Sequence, residues 1–499
     1  MMTTRMRRMG AGLALLVTLA GCAPAPPTMI IVEEPLPTLT PDPGATPLPT
    51  RTLLAPGELV PYTAQSGDTL PALAAHFNTT AEAIRAANPD LPDVVTTLPA
   101  GYPLTIPAYH LPLTGTPFQI LPDSEVPNGP SAVEFDLRQE VLSRAGYLSS
   151  VSEYAFSRER VSWELVQSIA LNYSIHPRLL LTLLEYGSRA LTNPFPGDLE
   201  RRYSLGYPNA RYQGVYRQLL WAAGRINDGF YGWRTGDLRE FESTDGFLIR
   251  PDSWQNAGTV AVQYLLAGMM TRDQLEQAIG PEGFYRTYVE LWGDPFDLAQ
   301  AQIPGNLQQP ELALPFLPNR VWNFSGGPHP SWGDSLPWGA LDFAPPAVES
   351  GCSPSNEWAA APAPGVITRS GNALAVLDLD GDGDERTGWV LLFYHLAENG
   401  LIAAGTQVEL GDRLGHPSCE GGRATGTHFH IARRYNGEWL PADGPVSFTL
   451  DRWVAHAGEA PYEGRLTRGT NVVPACTCST RENRIIYQLP GGSETGFEP

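Results

Sequence analysis

The sequence predicts a multidomain protein in which a small βααβ unit, a helical middle part and an antiparallel all-β part follow one another. Three observations carry that prediction. The chain has 499 residues, and single cores rarely grow past roughly 250 to 300 residues. Apolar residues recur at helical spacing between about 131 and 297 and at alternate positions beyond 305, the two periods that belong to helices and strands. Pro-rich stretches at 23–58 and 109–130 separate the parts.

The formal net charge is −20. Arg5, Arg7 and Arg8 are the only charged residues among the first 21, so the rest of the chain carries 30 basic against 53 acidic side chains, or −23. This balance excludes nucleic acid as a partner. Recognition of any anionic polymer has to rest on shape, stacking and hydrogen bonds.

Residues 1–22 read as an export signal: three arginines, a mostly apolar run from Ala11 to Ala20, then Leu19-Ala20-Gly21-Cys22. The run is too short to span a membrane. Its ending resembles a bacterial lipobox, which implies a lipidated Cys22 and a protein anchored to a membrane by its acyl chains, in the extracytoplasmic part of a bacterial cell envelope. Residues 23–58, dominated by Pro and Thr, are expected to be an extended spacer without a core.

The unit at 59–108 opens with Tyr62-Thr63-Ala64-Gln65-Ser66-Gly67-Asp68-Thr69-Leu70, continues through two short helical stretches, the second closed by Asn88-Pro89, and ends in Leu104-Thr105-Ile106-Pro107. Asp68 or Thr69 is placed to cap the first helix and Thr80 the second. The order of the Gly-Asp-Thr-Leu start, the Asn-Pro and the Leu-x-Ile-Pro finish resembles a LysM domain, which implies binding of N-acetylglucosamine-containing glycans such as peptidoglycan.

From 131 to 305 helices are expected around Val161 to Ala170, from Pro177 to a stop at Gly187, and around Tyr216 to Ile226, Asn256 to Leu266 and Arg272 to Ala278. An apolar helix that starts with proline and ends in Glu185, with Ser188 soon after, is similar to the all-α lysozyme-like fold of lytic transglycosylases. That resemblance implies a general-acid role for Glu185. In that family Ser follows Glu directly, whereas Tyr186 and Gly187 intervene here. The second reading makes Glu185 a helix-end residue paired with Arg189, in a domain that only grips glycan.

Beyond 305 the candidate strands are Val321 to Phe324, Ala340 to Ala344, Gly365 to Ser370, Leu374 to Asp378, Trp389 to His395, Thr406 to Leu410 and Thr427 to Tyr435, with an Asn436-Gly437 tight turn after the last. Six of the nine histidines lie beyond residue 320. In a strand, His428 and His430 emerge on one face, so they can share a site. His329 and Asp342 lie 13 apart (342 − 329) across a Gly/Pro/Trp-rich segment.

Gly326-Gly327-Pro328-His329, Asp342, Tyr394-His395-Leu396 and Thr425-Gly426-Thr427-His428-Phe429-His430 together resemble the lysostaphin/LytM-type zinc endopeptidases, particularly the LasA/beta-lytic subgroup. The resemblance implies an antiparallel metallopeptidase domain within 306–499, zinc (Zn2+) held by His329, Asp342 and His430, and His395 and His428 beside it as catalytic groups. Three protein ligands with an open fourth position are what a catalytic rather than structural zinc needs. His416 and His456 receive no role.

Asp378-Leu379-Asp380-Gly381-Asp382-Gly383-Asp384 resembles the start of a calcium loop, but position twelve is Trp389 and the flanks read as strands, which favours a hairpin turn. Cys352 and Cys419 are candidates for a bridge near the metal, and Cys476 and Cys478 for one with each other. The expectation is a LysM-targeted, zinc-dependent peptidoglycan endopeptidase acting on a stem or cross-bridge. The alternatives are a wall-binding scaffold or hydrolase activator without chemistry of its own, and an added transglycosylase activity in the helical part.

Overall fold

The computed structural model describes residues 48–109, 115–346 and 351–488. The signal segment, Cys22 and most of the spacer lie outside the described residues, and among those described no helix is long and apolar enough to cross a membrane.

In the first unit β1 (Glu58–Thr63) pairs antiparallel with β2 (Pro103–Ala108) around α1 (Leu70–His76) and α2 (Ala81–Ala87). Thr69 caps α1 by accepting from Ala72 N, and Thr80 caps α2 by accepting from Ala83 N. Asp68 has another use, accepting from Gln65 N and the Tyr62 hydroxyl, both at 2.7 Å. Leu73, Phe77, Ile84 and Ile106 are fully buried between the helices and the strand pair. The described end of the expected spacer is not free: Arg51 forms an ion pair with Asp252 at 2.7 Å, and Pro49 O accepts from the Thr116 hydroxyl.

The middle part is built on α3 (Leu137–Ser143), α4 (Ser162–Tyr173), α5 (Pro177–Ser188), α6 (Asp198–Arg202), α7 (Val215–Thr235), α8 (Ala257–Ala267), α9 (Arg272–Ala278) and α10 (Phe284–Trp292). It is not all-α. Two hairpins interrupt it, β3 (Ser152–Ala155) with β4 (Arg158–Val161) and β5 (Phe241–Glu242) with β6 (Leu248–Ile249). Ile120, Leu121 and Val126, expected in a connector, are buried in its core. Helix α5 passes through Gly187 rather than stopping there, and the glycine serves packing instead: a Cβ at 187 would meet the crossing backbone of Leu205 at 2.6 Å. The stop comes one residue after Ser188, at Arg189, in the left-handed conformation with φ 54°. Helix α7 outruns the expected end at Ile226, and Gly229 lets α8 approach within 2.9 Å of where a Cβ would stand.

The remainder is antiparallel. Its strands are β7 (Val321–His329), β8 (Ala340–Ala344), β9 (Ala359–Ala360), β10 (Gly365–Gly371), β11 (Leu374–Asp378), β12 (Trp389–Tyr394), β13 (Gln407–Val408), β14 (Arg413–Gly415), β15 (Phe429–Tyr435), β16 (Glu438–Trp439), β17 (Thr449–Leu450), β18 (Trp453–Ala457), β19 (Gly464–Arg468), β20 (Asn471–Pro474) and β21 (Arg484–Ile486). The main sheet runs β13-β10-β11-β12-β15-β8-β7-β21, with β16 paired to β15; β17 to β20 form a second, four-stranded sheet. The Asn436-Gly437 turn is present, with φ 49° and 77°.

Alternation splits the main sheet into two apolar faces. Leu341, Phe343, Leu391, Phe393, Phe429 and Ile431 enter one core, while Ala340, Val376, Val390, Leu392 and Ala432 enter the core of the helices. The helical part is therefore packed on one face of the sheet. Polar groups buried in that contact are paired: Glu385 bridges Arg369 and Arg434, Arg369 also reaches Asn172, and the Trp439 indole donates to Tyr173 O at 3.2 Å. The first unit docks on α7, where His76 stacks on Trp233 at 3.7 Å.

Candidate metal centre

Strand register brings the ligand candidates together. His430 on β15 stands opposite Asp342 on β8, and Tyr394 on β12 stands opposite His430 from the other side. Cross-strand partners share a face, so a histidine and an aspartate far apart in sequence become neighbours. His329 ends β7, whose register against β8 shifts between Gly326 and His329. Such an irregularity re-aims a side chain.

The distances are those of one shared centre. His329 Nε2 lies 3.0 Å from His430 Nδ1 and 3.2 Å from Asp342 Oδ1, and His430 Nδ1 lies 3.5 Å from that oxygen. A tetrahedral cation with bonds of about 2.0–2.1 Å sets its ligands about 3.3 Å apart. All three residues are buried.

Their hydrogen bonds fix what the inward atoms are. His329 Nδ1 faces Gly327 O at 2.8 Å and His430 Nε2 faces Ser331 O at 3.1 Å. A carbonyl only accepts, so each of these nitrogens carries its ring's proton. The inward nitrogens therefore present bare lone pairs to each other, and Asp342 Oδ1 is buried without a hydrogen-bond donor. Three such atoms converging in a dry site repel one another unless a cation lies between them. The donor set, two imidazoles and one carboxylate, suits zinc.

The two further imidazoles are beside this group. His428 Nε2 lies 3.7 Å from Asp342 Oδ2, and the His395 and His428 rings are 4.7 Å apart. His428 Nδ1 donates to Gly426 O at 2.7 Å and His395 Nδ1 to Glu420 O at 2.8 Å, which leaves Nε2 of each ring as the unprotonated nitrogen. Burial pushes the His395 imidazole down to about 4, with His428 adding to the shift. His395 has φ 61°, a backbone conformation that costs a non-glycine residue and clusters at functional sites.

Some contributors carry no sequence signal. Tyr462 stacks on His329 at 4.2 Å, with its N–H on Pro328 O and its carbonyl on Gly327 N. Ser331 holds His430 through a backbone atom, which any residue type supplies. Only Trp332, in the Gly/Pro/Trp-rich segment, had a compositional hint; it lies 4.9 Å from Tyr394.

Cys352 and Cys419 form a disulfide, as do Cys476 and Cys478. The first ties the loop whose Gly351 and Ser353 carbonyls accept from Thr427 to the segment around Ser418, which pairs with His428. Glu185 does not pair with Arg189. Its oxygens accept from Leu191 N and the Thr192 hydroxyl, so the carboxylate closes the turn after α5. The oxygens of Asp378, Asp380 and Asp382 come together, but they accept from the N–H groups of Asp380, Gly383, Asp382 and Asp384 within the β11–β12 turn. His416 and His456 bond to Glu357 O and Thr467 and are not part of the centre. A cavity of about 670 Å³ lined by Tyr231, Trp338 and Trp439 lies where the first unit, α7 and the sheet meet, and none of the five site residues lines it.

Comparison with known proteins gives the class first. Residues 62–107 match the family model described as LysM domain, and residues 119–305 the model described as LasA, N-terminal domain. The second match covers the region expected to be lysozyme-like. Among characterised proteins the chain is similar to "Protease LasA" of Pseudomonas aeruginosa strains UCBPP-PA14 and PAO1, 24% identical over 360 residues, which span 68% of this chain and 78% of that protein. Among solved structures, the "M23 Metalloprotease Pseudoalterin from Deep-sea" is 23% identical, covering 34% of this chain and 96% of that one with a TM-score of 0.28. The catalytic domain of the antimicrobial peptidase lysostaphin from Staphylococcus simulans is 19% identical, covering 25% and 90% with a TM-score of 0.18.

Proposed function

We propose that this protein is a zinc-dependent endopeptidase that cleaves a peptide bond in the stem or cross-bridge of peptidoglycan. The observation that carries the reading is the convergence of His329 Nε2, His430 Nδ1 and Asp342 Oδ1 at 3.0–3.5 Å. His329, Asp342 and His430 would hold the metal. Zinc bound there supplies Lewis acidity toward a carbonyl and makes water acidic enough to lose a proton near neutral pH.

The chain's own groups do the rest. His395 and His428 offer unprotonated Nε2 atoms on the same side of the centre; one takes a proton from the attacking water and, once protonated, returns it to the departing amine. The other, when protonated, donates to the oxygen that gains charge as the carbonyl is attacked. Tyr462 packs on His329 and excludes water from that side. Full retention of all five side chains supports an enzyme over a non-catalytic activator.

The LysM unit would deliver the enzyme to glycan, and lipidation of Cys22 would hold it at the outer side of a bacterial membrane. The domain limits 59–108, 131–305 and 306–499 belong to the same proposal. Zinc analysis of the purified chain with turbidity loss of cell-wall suspensions tests the reading: about one zinc per chain and chelator-sensitive clearing are expected, and clearing that persists without metal would overturn it.

A further inference from the structure

His395 and His428 come from different places in the chain, one directly after β12 and the other directly before β15. A single serine ties them together. Ser418 lies between them in sequence, just beyond β14. Its N–H is shared between His395 O at 2.7 Å and His428 O at 3.2 Å, and its carbonyl accepts from His428 N at 3.4 Å.

The hydroxyl adds a link that depends on the side chain. Ser418 Oγ donates to His395 O at 3.0 Å and accepts from Glu420 N at 3.0 Å, while Glu420 O accepts from His395 Nδ1 at 2.8 Å. These bonds close a ring that leaves His395 by its carbonyl and returns to its imidazole. The ring fixes which nitrogen carries the proton and keeps Nε2 bare. It also braces a backbone held at φ 61°, a conformation that persists only where surrounding contacts over-determine it. The chain then passes over Tyr394, where a Cβ on Gly421 would stand 2.7 Å from the ring.

Ser418 is itself anchored. Its neighbour Cys419 is joined to Cys352, and the residues on either side of Cys352 hold Thr427: Gly351 O accepts from Thr427 N at 3.0 Å, and Ser353 O from its hydroxyl at 2.6 Å. Thr427 precedes His428, so the disulfide reaches the second histidine from its other side. The metal-ligand candidates are held by different groups, His329 by Gly327 O, His430 by Ser331 O and by the β8–β15 pairing with Asp342. A serine that only filled space would need none of its polar groups. Here the N–H, the carbonyl and the hydroxyl all end on the two histidines or on the residue that orients one of them.

We propose that Ser418 is a positioning residue for proton transfer: it holds His395 and His428 at one separation and fixes the His395 tautomer, without acting on the metal ligands. The proposal rests on the peptidase reading above. A displacement of about 1 Å in a reacting group can cost on the order of 100-fold in rate, so loss of one of several ties should cost about tenfold.

The test uses the zinc-loaded full chain on cross-linked peptides from purified sacculi, with kcat expressed per bound zinc so that unfolded molecules do not count. Ser418→Ala is expected to keep about one zinc per chain, and its visible spectrum with cobalt in place of zinc should match that of the wild type. Its KM should stay within about twofold while kcat per zinc falls about tenfold. Ser418→Thr retains the hydroxyl and should recover most of the loss. Thr427→Val removes the side-chain tie on the other histidine and should show the same pattern, so it decides the matter if Ser418→Ala folds poorly. Undiminished kcat per zinc in the variant that folds overturns the assignment. So does a changed cobalt spectrum, which would mean that the serine acts through the ligands, or an equal loss in Ser418→Thr. A wild type that binds zinc yet cleaves none of these peptides sinks the peptidase reading, and the role of Ser418 with it.

Discussion

Asp342 and His430 face each other directly across the β8–β15 pair, with Asp342 Oδ1 3.5 Å from His430 Nδ1. Their spacing is set by two adjacent strands in a nine-stranded sheet rather than by a loop. Neither can leave the centre without a change of register, and a one-residue slip would send His430 to the opposite face. A site on such a frame is held to narrow tolerances.

The division of labour among the histidines is open to direct measurement. His430→Ala and His329→Ala should lower zinc from about one per chain to a small fraction, because two remaining ligands no longer enclose the ion. His428→Ala should keep the metal and lose about 100-fold or more in turnover, the usual contribution of a positioned acid or base. Metal analysis alongside peptide release distinguishes them. Zinc retained in His430→Ala would remove that residue from the ligand set.

Gly326 supports Asp342 by having no side chain. A Cβ there would stand 2.7 Å from Asp342 Oδ2 and 3.0 Å from its Cβ. Gly326→Ala should push the carboxylate out of line and weaken zinc binding by about tenfold or more, as loss of an orienting group does. Competition with a chromogenic chelator reads this out. Unchanged affinity would show that the strand yields more readily than its close packing suggests.

One buried acid pairs two arginines in the contact between helices and sheet. Glu385 accepts from both Arg369 and Arg434, whose pairing holds it down at about 2 against the opposing effect of burial. Glu385→Ala leaves Arg434 buried and uncompensated, which should cost about 3–5 kcal/mol. Thermal or denaturant unfolding should show the loss, and Glu385→Gln should recover part of it. A shift below about 1 kcal/mol would mean that Arg434 finds water or another acceptor.

Two groups of the first unit, Asp68 and His76, should make opposite contributions to the pH dependence of stability. Burial raises the Asp68 carboxyl to about 6 from an ordinary 3.8, so stability from the protonated form is lost as pH rises through that window. Burial lowers the His76 imidazole to about 4 from 6.5, so stability is present above 6.5 and lost as pH falls toward 4. Each slope is about 1.4 kcal/mol per pH unit, and between 4 and 6 they oppose each other. Relative to wild type, Asp68→Asn should melt earlier on acidification and His76→Phe later. Parallel melting profiles across pH 4–7 would contradict this account.

Strands were legible where polar and apolar residues alternate. Ala340–Ala344 and Leu374–Asp378 match the expected limits, and Trp389–Tyr394 differs by one residue. Helix ends were less so. Gly187 reads as a stop only until the crossing of Leu205 is known, and α7 continues past Ile226 to Thr235 with Gly229 at its crossing with α8. The hairpins at 152–161 and 241–249 were not anticipated, since strands of two to four residues show too few alternations to register.

By itself the sequence determined which side chains could do chemistry: a carboxylate and imidazoles in spacings that place His428 and His430 on one strand face, and residues able to cap, turn and alternate as the elements require. Local periodicity carries that information because it depends only on neighbours along the chain. Tertiary structure alone decided that Tyr462 lies on His329, that Ser331 orients His430 by a carbonyl, that Glu185 accepts from the turn after its helix, and that the helices pack on the sheet face to which Ala340 and Ala432 belong. Those outcomes follow from backbone atoms and from packing between segments that can be hundreds of residues apart, and neither leaves a pattern in residue type.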